Sequence, residues 1–181
     1  MILIVNVCLD RLSELEFVEP ISKILEKVNN VFQVKHYLKV NSNELINVDK
    51  IIICGTSLKD FEYLHHIEAF NYLNGLGKPV LGICAGMQII AKTFGGELLD
   101  RKIIGQHEVK VVKQNPLSSS GEFYSYFLVS KIVKVNSSFD VIATTGCIAS
   151  IIKQKGQEIY GCLFHPEVLN AELILNFCRI V

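Results

Sequence analysis

Cys84 stands in Gly82-Ile83-Cys84-Ala85-Gly86-Met87-Gln88, with a glycine two residues to either side. A thiol placed where an apolar run gives way to helical spacing, with small neighbours, has the layout of a nucleophile elbow, a turn too tight for ordinary side chains around it. Such a turn lifts the thiol to a helix N-terminus, where unpaired N–H groups and the dipole favour a thiolate. That is not enough by itself. A free thiol with a pKa of about 8.5 is only a few per cent ionised at neutrality, and a helix end contributes roughly 0.3–1 kcal/mol, less than one pKa unit. A histidine base is therefore required, with a third group to orient it. Phe164-His165-Pro166-Glu167 offers both: in an extended segment Glu167 points to the same side as His165 and can support its ring.

The elements that must position these groups are legible around them. Val80 to Ile83 reads as a buried strand leading into the elbow, and Ala85 to Phe94 as the helix that follows. Ile2 to Leu9 and Lys50 to Thr56 read as further strands, Phe32 to Leu38 as a short alternating one, and Ile159 to Leu163 as the apolar run before His165. Between them, Leu12 to Val28 keeps an apolar stripe (Leu15, Val18, Ile21, Ile24, Leu25, Val28) interrupted by Pro20, and Asp60 to Leu76 repeats Phe61, Leu64, Ile67, Phe70 and Leu73, predicting two helices. This rhythm argues for parallel βαβ units with helices on both faces. Sites in such sheets collect at the carboxyl ends of strands, where Gly55, Cys84 and His165 all fall. After Gly96, short strands are predicted at Glu97 to Leu99, Lys102 to Ile104, Val109 to Lys113, Tyr126 to Val135, Asp140 to Thr144 and Cys147 to Ile152, with a loop at Asn115 to Gly121. They are too short for a separate core and would extend the sheet or add a small antiparallel layer. A last helix, Leu169 to Ile180, closes the chain.

The two motifs together, in this order and separation, resemble the signature of the class I, or triad, glutamine amidotransferases, and the likeness runs over nearly the whole chain. The resemblance implies an α/β, flavodoxin-like three-layer fold with a mostly parallel central sheet and a small antiparallel extension. It implies Cys84 as nucleophile, His165 as base and Glu167 as its orienting group. The oxyanion donors it implies are the backbone N–H groups of Gly55 and Ala85, and Gln88 is expected to help bind substrate. The reaction so implied is release of ammonia from glutamine through a γ-glutamyl thioester, without metal or organic cofactor, to supply a separate synthetase or synthase subunit. Two other readings stand beside it: an independent γ-glutamyl hydrolase or peptidase, and a non-catalytic binding module of the same fold. Two departures are visible. Cys54-Gly55-Thr56 stands where the family more often has two glycines and a proline. The Ser-His-x-Asp element of the GMP-synthase branch is replaced by Phe127-Leu128-Val129-Ser130, which lacks the histidine and counts against that branch, whereas Tyr160 to Val168 resembles it.

Composition bounds the rest. A chain of 181 residues suits one domain, 1–181, with a full core. Lysine plus arginine and aspartate plus glutamate number 18 each, so no basic surface for nucleic acid or anionic lipid is indicated. No apolar run approaches the roughly 18 residues of a bilayer span, and Met1-Ile2-Leu3-Ile4-Val5 reads as a first strand rather than a leader, so a cytoplasmic protein is expected. The six cysteines form no Cys-x-x-Cys pair; apart from Cys84 they are expected to be small core residues. His65, His66 and His107 read as ordinary helix or surface residues.

Overall fold

A computed structural model describes residues 1–119 and 121–181, so within the expected 115–121 loop Ser120 lies outside the described residues. The strands are β1 (Ile2–Asn6), β2 (Phe32–His36), β3 (Lys50–Ile53), β4 (Val80–Ile83), β5 (Glu97–Val111), β6 (Glu122–Lys134), β7 (Phe139–Thr145), β8 (Ile148–Gln154) and β9 (Ile159–Cys162). They form one nine-stranded sheet in the order β2-β1-β3-β4-β9-β8-β7-β5-β6. Neighbours from β2 to β9 pair in parallel and the remainder antiparallel, so the extension beyond β9 continues the central sheet as one surface. β1, β3, β4 and β9 are almost wholly buried. Runs of Ile, Leu and Val without alternation are what a strand covered on both faces requires.

The helices are α1 (Arg11–Phe17), α2 (Glu19–Lys27), α3 (Ser42–Ile46), α4 (Ala85–Thr93), α5 (Pro166–Leu169) and α6 (Ala171–Arg179). The chain leaves β1 toward β2 on one side and β3 toward β4 on the other. With right-handed crossovers, that reversal puts the intervening helices on opposite faces and opens a crevice between the carboxyl ends of β1 and β3. α2 packs with α5 and α6, while α4 packs with the 3₁₀ segment after β3.

Several elements differ from the sequence expectation, each for a local reason. The helix expected from Leu12 to Val28 is two helices parted at Val18: Asp10 caps the first through the Leu12 and Ser13 N–H groups, and Pro20, which lacks an N–H, sits in the first turn of the second. Leu15 and Val28 fall on the exposed side. Glu62–Leu73 is 3₁₀ with a kink at His66, not the expected α-helix. The strict three-residue spacing of Phe61, Leu64, Ile67, Phe70 and Leu73 matches 3.0 residues per turn, not 3.6. The separate strands expected at 97–99, 102–104 and 109–113 are one strand, β5, with an irregular register between Asp100 and Ile103. The last helix is broken at Asn170 into α5 and α6. Of the cysteines expected in the core, Cys147 is exposed and Cys178 half-buried. Cys147 lies in the turn between β7 and β8, where nothing packs over it.

Candidate active site

β3, β4 and β9 are neighbours in the sheet, and their carboxyl ends deliver Gly55, Cys84 and His165 side by side. Cys84 caps α4 with φ +51° and ψ −101°, a conformation costly for any residue with a side chain. The glycines to either side permit it. A Cβ on Gly86 would meet the Ile53 carbonyl oxygen at 2.4 Å, and one on Gly82 would meet the Gly86 backbone at 2.5 Å. The elbow is therefore pressed against backbone on both sides, and only hydrogen fits there. The Cys84 N–H is held by the Cys162 carbonyl of β9 at 2.8 Å.

His165 follows β9 and opens α5, with Pro166 at the first helical position. Its N–H donates to the Tyr126 carbonyl of β6 at 2.8 Å. Its Nδ1 and the Glu167 Oε1 are 2.8 Å apart, with both side chains almost fully buried. The expected pairing is present, but through a helical first turn rather than an extended segment. Proline at the position between them selects that turn. Burial opposes a charge on this imidazole, yet the Cys84 and Glu167 groups beside it outweigh burial and hold His165 well above the usual histidine range. Nε2 has no hydrogen-bond partner among the described residues, leaving one buried ring nitrogen unengaged.

Gly55 lies against this pair: a Cβ there would come within 2.8 Å of His165 Cε1 and 3.4 Å of Cys84 Cβ. The N–H groups of Gly55 and Ala85 find no acceptor among the described residues. Burial pushes Cys54 and Cys162 well up, with the nearby Glu167 carboxylate adding to it, so they stay protonated.

Gln88, buried in α4, has both ends of its amide engaged: Oε1 accepts from the Tyr63 hydroxyl at 2.5 Å and Nε2 donates to the Lys131 carbonyl at 3.0 Å. It lines a cleft beside Cys84 together with Thr56, Asp60, Tyr63, Leu128 and Ser130. That cleft has a volume of about 10 Å³, roughly one water. The wall formed by Leu128 to Lys131 comes from β6, whose Leu128 carbonyl lies 3.6 Å from the Cys84 sulfur. Sequence reasoning does not single out Tyr63, Asp60, Leu128 or Ser130 for the site. Only Asp60, closing a turn of the Ser57-Leu58-Lys59-Asp60 type, carries a local signal.

A family model described as "Glutamine amidotransferase class-I" matches residues 13–174. The chain belongs to this family. This amidotransferase is 28% identical over 180 residues to a glutamine-hydrolyzing GMP synthase subunit of Methanosphaera stadtmanae, an alignment covering 84% of this chain and 95% of that one. It is 34% identical over 112 residues to the corresponding subunit of Methanococcus aeolicus, covering 56% of this chain and 60% of that one. Against the glutamine-hydrolyzing GMP synthase of Borreliella burgdorferi it is 33% identical over 159 residues, spanning 80% of this chain and 30% of that protein. Among solved structures, a putative GMP synthase subunit of Thermoplasma acidophilum superimposes with a TM-score of 0.86 at 21% identity, covering 97% of this chain and 90% of that one, which shows the shared fold. These similarities to GMP synthases stand even though Phe127-Leu128-Val129-Ser130 lacks a histidine.

Proposed function

We propose that this amidotransferase is a glutaminase that releases ammonia for a separate synthetase or synthase subunit. Cys84 attacks the carboxamide carbon of glutamine, and the resulting oxyanion accepts from the N–H groups of Gly55 and Ala85. His165, its Nδ1 held by Glu167, passes a proton to the departing ammonia and then takes one from the water that hydrolyses the γ-glutamyl thioester. The observation that carries this reading is the convergence on Gly55: a Cβ there would come within 2.8 Å of the His165 ring and 3.4 Å of Cys84, which supports its N–H as an oxyanion donor. Gln88 helps shape the substrate cleft, its amide fixed between Tyr63 and β6. The relatives named as subunits of glutamine-hydrolyzing GMP synthases support a synthase partner.

Purified chain incubated with glutamine tests the reading, by following glutamate and ammonia. Release that vanishes in Cys84→Ala and rises when a synthase subunit is added is the expected result. Preference for γ-glutamyl peptides over free glutamine would move the assignment to a hydrolase. A wild-type chain no different from Cys84→Ala on either substrate would remove the enzymatic reading altogether.

A further inference from the structure

Asp60 lies outside the triad, yet its carboxylate joins the two loops that flank the crevice between β1 and β3. It is 7% exposed and forms no ion pair among the described residues. Oδ2 accepts from the Thr56 hydroxyl at 2.5 Å and from the Leu9 N–H at 2.8 Å, and Oδ1 accepts from the Glu62 N–H at 3.1 Å. The Asp60 N–H closes the turn on the Ser57 carbonyl at 3.0 Å. A second tie runs in parallel, from the Cys8 thiol to the Gly55 carbonyl at 3.6 Å.

These bonds converge on one residue. Gly55, immediately before Thr56, has no side chain to restrict its backbone, and a Cβ that would do so is barred by His165. Its N–H lies in the peptide plane shared with Cys54, which the Val5 carbonyl holds at 3.1 Å, so freedom left on the Thr56 side is what can still turn that plane. Thr56 is fixed by Asp60, and Asp60 by the Leu9 loop and the start of the 3₁₀ segment. An oxyanion donor contributes only when it is already aimed before charge develops. We infer that Asp60 is a positioning residue for acylation of Cys84, its carboxylate clamping Thr56 and Leu9 so that the Gly55 N–H is held toward the oxyanion. This rests on the glutaminase reading above.

Two reactions of the same sulfur separate positioning from general support. Acylation by glutamine passes through an oxyanion; alkylation by iodoacetamide displaces iodide and forms none. Both need the thiolate and an intact elbow. Thr56→Val removes the hydroxyl and keeps the shape, Asp60→Asn replaces an acceptor with a donor, and Thr56→Ser keeps the hydroxyl. The expected result is a fall in kcat of about tenfold or more in Thr56→Val and Asp60→Asn, part of the 10²–10³-fold typical when an oxyanion donor is removed outright. The alkylation rate falls much less than kcat, and Thr56→Ser recovers kcat that Thr56→Val loses. Parallel loss of alkylation and hydrolysis would make Asp60 a structural residue only and overturn the proposal, as would unchanged kcat in both variants. Failure of the parent reading looks different: wild type itself then matches Cys84→Ala with glutamine while Cys84 is still alkylated.

Discussion

Replacing Glu167 by glutamine removes one charge and leaves the shape of a fully enclosed pair almost unchanged. In the parent, the carboxylate lies 2.8 Å from His165 Nδ1 with neither side chain reaching solvent. A hydrogen bond to a charged group is worth about 1.5–3 kcal/mol, and its loss lets burial pull the imidazolium back down. The sign follows from which states contain the imidazolium. Burial opposes that charge, and with Glu167 neutral only Cys84 is left to offset it, so the thiolate–imidazolium pair loses ground to the neutral thiol and imidazole. Two consequences are measurable. At neutral pH the rate of Cys84 alkylation by iodoacetamide should fall about ten- to a hundredfold, tracking the thiolate population. On the alkaline side, the step at which the imidazolium gives up its proton should move to lower pH, because Cys84 and Glu167 together sustain the raised folded-state value and one of the two is removed. Both steps belong to the coupled pair rather than to either group. Glutamine hydrolysis should fall further than alkylation, since the amide no longer selects the tautomer in which Nε2 is free to act. A Glu167→Gln chain with wild-type alkylation and an unmoved alkaline step would refute the reasoning, showing that the buried carboxylate does not hold the histidine charged.

Two further changes probe the frame of the site. Gly86→Ala drives a methyl against the Ile53 carbonyl at 2.4 Å, where both sides are backbone and neither can rotate away. Overpacking of this kind costs about 1–3 kcal/mol, so a thermal melt should fall by several degrees with loss of glutamine turnover, and an unchanged Tm would contradict the close approach. Ser130→Ala removes the 3.1 Å hydrogen bond from β6 to the Leu58 carbonyl across the cleft. A net 0.5–1.5 kcal/mol for one bond predicts about a two- to tenfold faster alkylation of Cys84 by a bulky maleimide; a slower or equal rate would mean that this bond does not limit access.

What is legible in the sequence divides by range. The elbow is local: Gly82 and Gly86 announce a turn that Cys84 must enter at positive φ, and β4 and α4 begin within a residue of where the apolar pattern places them. The His165–Glu167 pair is legible as well, though the helical turn that brings them together is signalled by Pro166 and not by the two-residue spacing of a strand. The 3₁₀ segment is in plain sight as a period of three, which the commoner helical period masks. Less legible is everything that depends on β6. Its Tyr126, Leu128 and Lys131 carbonyls contact His165, Cys84 and Gln88, residues about forty positions away in the chain. Backbone carbonyls carry no side-chain identity, so no motif could mark them.

That division bears on how the site works. The parallel half of the sheet supplies groups that the proposed chemistry needs rigid: a strained Cys84 pinned between β3 and β9, a buried His165–Glu167 pair and a glycine held by Asp60. The antiparallel half supplies the wall of the cleft, tied across it by Ser130 to Leu58 and by the Lys131 ammonium over the Phe61 ring at 5.1 Å. The cleft as it stands has room for about one water, so on the proposed reading the ties across it bear on admission of a glutamine side chain. On the proposed glutaminase reading, catalytic geometry and substrate admission reside in different parts of one sheet. A change at Asp60 or Glu167 should alter the chemistry of the thiol with access unaltered, and a change at Ser130 should alter access to unaltered chemistry. The ratio of small-reagent to bulky-reagent alkylation distinguishes them: it stays constant for the first pair and shifts for the second, and one common response to all three would mean that the two halves move as a unit.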